Sequence, residues 1–192
     1  MASGIPWEWC ATENGPGLRV LKNLSEDTAR HIAAEICSYK HPGDVAVASI
    51  HWGGNWGYEI SAEQIEFAHR LIEGGVDLIH GHSSHHVKAV EVYRGHLILY
   101  GCGDFITDYE GITGYEEFRS DLKLMYLVKV DAQNGALLEV RLVPMQSRRL
   151  RLNRVSKTDA QWLCDLLNDL GSEFATQARL DDDNIALRWR PD

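Results

Sequence analysis

Four of the chain's nine histidines fall within seven positions, His80, His82, His85 and His86, in the stretch "DLIHGHSSHH". A fifth, His51, closes "VAVASIH" and is followed by the glycine- and aromatic-rich "WGGNWGYE". Neutral imidazole nitrogens are good ligands for zinc, iron and manganese-type ions, and two or three that converge make part of a metal shell. His51 and His82 each come just after a short apolar run that reads as a parallel strand. In open α/β sheets ligands gather beyond the carboxyl ends of strands, where the loops splay apart. His51, His82 and His85 are therefore the expected metal ligands, while His80 and His86 are expected to orient a ligand or face a phosphate. Gly81 permits a sharp turn after its strand, and Gly53-Gly54 leave room for close approach. Asp104, in "YGCGDF", has three roles open to it: ligand, orienter of a histidine, or acceptor that fixes its own loop. Asp108 reads as the last of these. The isolated His31, His41, His69 and His96 read as hydrogen-bonded structural residues.

The elements that must position these residues alternate. Ser25 or Asp27 can cap a helix running to about Tyr39, with Ile32 and Ile36 on one face. "VAVASI" (45–50) is a continuous apolar run, as in a strand covered on both faces. "SAEQ" (61–64) matches a capping box and opens a second helix, closed by Gly74-Gly75. "VDLIH" (76–80) is a second short strand, and helix, strand, helix, strand is the order of an α/β layered sheet with parallel pairing. Beyond Val87 the texture becomes hairpins. One has Arg94-Gly95 at its turn, and a stronger one has Asn134-Gly135, a pair suited to a type I′ turn. "SKTD" (156–159) can cap a last helix bearing Leu163, Leu167 and Leu170, and a small terminal hairpin follows. Residues 1–23, with Trp7, Trp9, Pro6, Pro16 and several glycines, read as a loop anchored by aromatics.

Composition narrows the function. At 192 residues and 44% apolar the chain can bury a real core. A formal charge of −9 argues against a nucleic-acid partner, which calls for a basic face. The one basic run, "RRLRLNR" (148–154), reads as a solvated strand face. Cys10, Cys37, Cys102 and Cys164 are scattered and read as free, mostly buried thiols of a reducing compartment. No apolar run is long enough to span a bilayer, and "MASGIPWEWC" lacks the basic start and apolar stretch of an export signal. As written, the chain reads as cytoplasmic.

"SIHWGGNWGYE", "GVDLIHGHSSHHVKAVEVYRGHLILYGCGDF" and the following "DY" together resemble the C-terminal half of the CapA family. These are bacterial capsule-synthesis, poly-γ-glutamate-associated proteins of the calcineurin-like metallophosphatase superfamily. The family pattern maps onto His51-Trp52-Gly53, onto Gly81-His82 with His85, and onto Glu91, Tyr93, Tyr100 and Gly103 to Phe105. The similarity runs over roughly residues 1 to 146. Asp104 stands where the family has Asn, and Ser83-Ser84-His85-His86 replaces its His-Pro-His.

The resemblance implies an α-β-β-α layered sandwich, with hairpins and a C-terminal helix. Residues 1–150 would be the C-terminal half of a metallophosphatase domain, and 151–192 an appendage of helix and small hairpin. It implies a site of two divalent ions (Mn, Fe or Zn) ~3.5–4 Å apart. His51 and His82 would bind one ion and His85 the other, with His82 and Asp104 the catalytic candidates. The Gly-Asp and Asn-His motifs that supply the remaining ligands have no match before residue 51; Asp44 and Asn23 precede a strand and a helix. The expected partners are therefore a missing N-terminal half or a second copy, together with a small-molecule or polymer substrate (phosphoester or polyglutamate-like). This chain alone is expected to bind at most one ion, weakly. The implied function is part of a metal-dependent hydrolase in capsule or poly-γ-glutamate synthesis. The alternatives are a non-catalytic accessory module, or metal-assisted chemistry on a peptide-like substrate. Family members often work at the cell envelope.

Overall fold

The structure, a computed structural model, describes residues 6–109 and 111–190; residues 1–5, the start of the expected aromatic loop, lie outside the described residues. The chain forms a mixed α/β fold of three helices and two sheets among these residues. In order come α1 (Glu26–Ser38), β1 (Val47–His51), α2 (Ala62–Glu73), β2 (Leu78–His82), β3 (Val90–Tyr93), β4 (His96–Leu99), β5 (Leu122–Val130), β6 (Leu137–Ser147), β7 (Leu152–Arg154), α3 (Lys157–Gly171), β8 (Thr176–Asp181) and β9 (Asn184–Trp189).

The helix starts are where the capping residues set them. The Ser25 and Ser156 side chains accept from Thr28 N and Asp159 N. Ser61 and Gln64 form the full reciprocal box. Trp9, by contrast, is 60% exposed, and its part in the loop is its backbone carbonyl, which accepts from the Leu18 N–H at 2.7 Å.

The first sheet has strand order β1-β2-β4-β3, with β1, β2 and β4 parallel and β3 antiparallel to β4. Helices α1 and α2 cover one of its faces, where Phe67, Leu71, Ala29 and Ala33 bury Ala48, Ile79 and Ile98. The second sheet, order β5-β6-β9-β8 with β7 against β6, covers the other face at β3 and β4. Val90, Val92, Leu97 and Leu99 meet Leu122, Leu124, Val140 and Leu142 there, and α3 joins this core through Leu163 and Leu167. Residues 151–192 supply β7, α3 and the β8–β9 hairpin, and β9 pairs with β6 inside the second sheet.

That cover stops before β1. Side chains alternate across a strand, so Val47, Ser49 and His51 share the face that the second sheet reaches only at β3 and β4, and all three are exposed. The run "VAVASI" is thus covered on one face rather than two. β1 is an edge strand whose Val47 is 53% exposed.

The turns also redistribute. At Arg94-Gly95 both φ values are positive (50° and 75°), which is the type I′ signature. At Asn134-Gly135 only the glycine is left-handed. That loop is longer, closed by Gly135 N–H to Asp131 O at 2.8 Å and Asp131 N–H to Ala136 O at 2.8 Å. A Cβ on Gly135 would come within 2.2 Å of the Asp77 carboxylate. Asp77 is already held by Lys40 and by the Ala46 N–H. The loop is therefore shaped by docking on β2's leading end, not by its two-residue turn chemistry.

Candidate metal centre

β1 and β2 run parallel in a register that pairs His51 with His82 at their carboxyl ends. The pairing carries both strands through these residues, so each histidine is the last residue of its strand rather than the first of its loop. Their rings stand edge to face with centroids 5.2 Å apart. His80, two residues earlier on the same face, has its ring 5.5 Å from that of His82 and its Nδ1 2.9 Å from Ser49 Oγ. Burial pushes the His82 pKa down, and the neighbouring His51 and His80 push it further; burial alone lowers that of His80. His82 and His80 are thus held toward the neutral form that a metal ligand must have.

The turn after His82 depends on Gly81. A Cβ there would fall 2.5 Å from Leu99 O and from Trp52 Nε1. Trp52 packs flat on Tyr100 and donates from its indole nitrogen to Tyr100 O at 3.0 Å. Ser83 next takes a positive φ of 126°, unusual for serine, and its hydroxyl reaches Gly53 O and Asn55 Oδ1. The His85 N–H donates to Asn55 O at 3.0 Å. The loops after β1 and β2 are therefore tied to each other directly.

His85 is built into a second cluster. Its Nδ1 lies 3.0 Å from Asp104 Oδ2, and the Tyr109 hydroxyl donates to the same oxygen at 2.9 Å. Of the three roles open to Asp104, the one seen is orienting a histidine. Burial, with the Asp104 carboxylate beside it, raises the Tyr109 phenol to about 12, so it stays a donor. Trp56 lies against His85 on one side and stacks on Tyr115 with centroids 4.2 Å apart. His86 is buried between Trp56, Tyr58 and Phe118, which excludes it from facing a phosphate; burial lowers its pKa.

The isolated histidines divide as their surroundings dictate. His69 Nε2 lies 2.8 Å from Glu91 and its ring stacks on Tyr93, and His96 Nδ1 lies 3.1 Å from Asp77 O. His41 Nδ1 sits 3.3 Å from Asp44 at the surface, and His31 is exposed. All four cysteines are free, but only Cys164 is buried.

His51 and His82 fit one edge of a divalent-ion site in donor type and spacing, and His82 also in being held toward its neutral form. Among the described residues, no group of three or more His, Cys, Asp or Glu side chains meets closely enough to hold an ion. Tyr109, Trp56 and Lys123 were not singled out from sequence. Tyr109 and Trp56 stood inside quoted motifs, while Lys123, in the apolar alternation "LKLMYL", carried no signal.

The family description "Bacterial capsule synthesis protein PGA_cap" matches residues 1–109. A Mycobacterium tuberculosis protein named "Probable polyglutamine synthesis accessory protein" is 43% identical over 185 residues, covering 96% of this chain and 49% of that protein. The Bacillus subtilis "PGA biosynthesis protein CapA" is 30% identical over 121 residues, 63% of this chain and 29% of that protein. The Bacillus anthracis "Capsule biosynthesis protein CapA" is 32% identical over 69 residues, 36% of this chain and 17% of that protein. The chain spans about half the length of the Mycobacterium relative. With the family match running through both histidine-bearing strand ends and the Asp104 loop, this chain belongs to the PGA_cap family of bacterial capsule synthesis proteins.

Proposed function

We propose that the chain serves capsule or polyglutamate synthesis and carries one side of a metal-dependent hydrolase site, within a layered sandwich of calcineurin type. The observation that carries this reading is the His51–His82 pair, register partners at two parallel strand ends on an uncovered sheet face. In it, His51 and His82 hold one divalent ion and His85 contributes to a second, the other ligands coming from outside the described residues. What such ions supply is Lewis acidity toward a phosphoryl or acyl oxygen. The chain's own part is positional. Asp104 and Tyr109 fix the Nδ1 side of His85, leaving Nε2 to face the site, and Trp56 restrains the ring's swing. The names of the relatives support a place in polymer synthesis.

The test is turnover of p-nitrophenyl phosphate and of a γ-glutamyl p-nitroanilide by the full-length protein, with and without Mn²⁺. The expected result is metal-dependent turnover of one substrate class, falling on the order of 100-fold or more in His82→Ala. Equal rates in His82→Ala would overturn it. A second reading, an accessory module without turnover, is favoured by the name of the Mycobacterium relative, an accessory protein of polyglutamine synthesis. It predicts polymer yield unchanged in His51→Ala and His82→Ala.

A further inference from the structure

A cavity of about 180 Å³ opens directly behind the Asp104–Tyr109 pair, lined also by Ser120, Lys123, Ser147 and Arg148. Lys123 is the second residue of β5 and points away from the core that Leu122 and Leu124 fill, yet it is only 4% exposed. Its Nζ is 3.8 Å from Asp104 Oδ2, too far for a hydrogen bond. An ammonium on a largely buried side chain, with its nearest carboxylate oxygen at 3.8 Å, gains from a closer acceptor.

The carboxylates around it are already engaged. Asp104 Oδ2 serves His85 and Tyr109. Asp121 accepts from Arg119 at 2.9 and 3.1 Å and from Gln146 at 2.9 Å. Burial lowers the Lys123 pKa while Asp104 and Asp121 oppose the shift, as expected for an ammonium whose neighbours only partly compensate it.

The second cation is held in place by an unusual turn. Arg148 N–H bonds Arg151 O at 2.9 Å, and Arg149 and Leu150 between them have φ of 54° and 53°. This is type I′ geometry, which Asn-Gly adopts readily and Arg-Leu only at a conformational cost. Asn153 Nδ2 clamps the turn through the carbonyls of Arg148 and Arg151 at 3.2 and 3.0 Å. Beyond Arg148 a shallow groove continues past Arg149, Arg151 and Arg154. The run ends, as read from sequence, in a short and mostly exposed strand (Leu152–Arg154), while the clamped turn before it forms a cation-bearing lip of the cavity.

We propose that this cavity is a monoanion subsite, in which Lys123 and Arg148 bind one carboxylate of a ligand whose remainder extends toward His85. Among the described residues, Lys123 and Arg148 face Asp104 and Asp121 around the cavity. A singly charged carboxylate supplies a closer acceptor than the Asp104 oxygen 3.8 Å from Lys123, whereas a doubly charged phosphate would be more strongly repelled by Asp104 and Asp121. The assignment deepens the hydrolase reading by placing the ligand's far end, but carboxylate binding itself needs no ion.

The experiment is therefore run on the full chain in the presence of a chelator. N-acetylglutamine (one carboxylate), its neutral amide and inorganic phosphate are titrated and followed by NMR. The expected result is saturable binding of N-acetylglutamine, weakened about 10-fold or more in Lys123→Met and several-fold in Arg148→Gln, with no binding of the amide. Unchanged binding in Lys123→Met, equal binding of the amide, tighter binding of phosphate, or no saturation by ~50 mM would each overturn the proposal. Arg148 is exposed, so if Lys123→Met fails to fold, Arg148→Gln decides alone, and undiminished binding there overturns it. Metal uptake is measured separately, so loss of the hydrolase reading would leave this result standing.

Discussion

The two faces of the first sheet differ in how far their cover extends. On the helix side, α1 and α2 reach across all four strands, and Ala48, Ile79 and Ile98 are sealed. On the other side the second sheet seals β3 and β4, leaving Ser49 and His51 exposed and His80 and His82 only partly buried. The same alternation that builds a core on one face therefore presents imidazoles on the other. Half-buried His69 has Glu91 2.8 Å away and Tyr93 stacked on its ring, whereas His51 and His82 have mainly each other. Stability should reside on the covered face and ligand chemistry on the open one.

The largest effect that separates the faces is a core truncation. Ile98→Ala, at a fully buried position, should cost about 2–5 kcal/mol in denaturant unfolding while the folded fraction keeps its affinity for metal. Next comes Glu91→Gln. Its carboxylate accepts from the Tyr100 hydroxyl at 2.6 Å and faces His69 at 2.8 Å, so the change should cost about 1–3 kcal/mol, again without altering metal uptake.

A smaller effect is set by pH. Burial holds the folded-state pKa values of His80, His82 and His86 below that of an ordinary imidazole, ~6.5, so below that pH the unfolded chain binds more protons than the folded one. The melting temperature of the metal-free chain should fall as pH drops through and below 6.5, and His86→Phe should flatten part of that slope. Smallest of all, His51→Ala on the open face should move unfolding stability by no more than about 0.5 kcal/mol. A large loss there would mean that the open face is structural after all.

Much of this was legible because local chemistry announced it. Ser25, Ser61 and Ser156 cap their helices as their spacing requires, and the parallel strands lie within two residues of their apolar runs. Sequence put His51 and His82 just past two strand ends; that each closes its strand and that they pair in register was not legible there. What failed was information carried by tertiary contact. Asn134-Gly135 answers to Asp77 rather than to its own turn preference, and the type I′ geometry went to Arg94-Gly95 and Arg149-Leu150. The apolar run before His51 could not reveal that it forms an edge, because bare and covered valines look alike in sequence. Lys123 sat unnoticed because strand alternation assigns it to solvent, while Asp104, Thr107, Tyr109 and Ile112 line the cavity it faces.

The most direct test of the open-face account is a Zn²⁺ titration of the chelator-stripped chain beside His82→Ala, with melting curves for both. The account predicts weak uptake of one ion, at least tenfold weaker in His82→Ala, which is ~1.4 kcal/mol of binding, with melting almost unchanged. No uptake by ~1 mM, or equal uptake in the variant, would contradict the assignment of His51 and His82 as metal ligands.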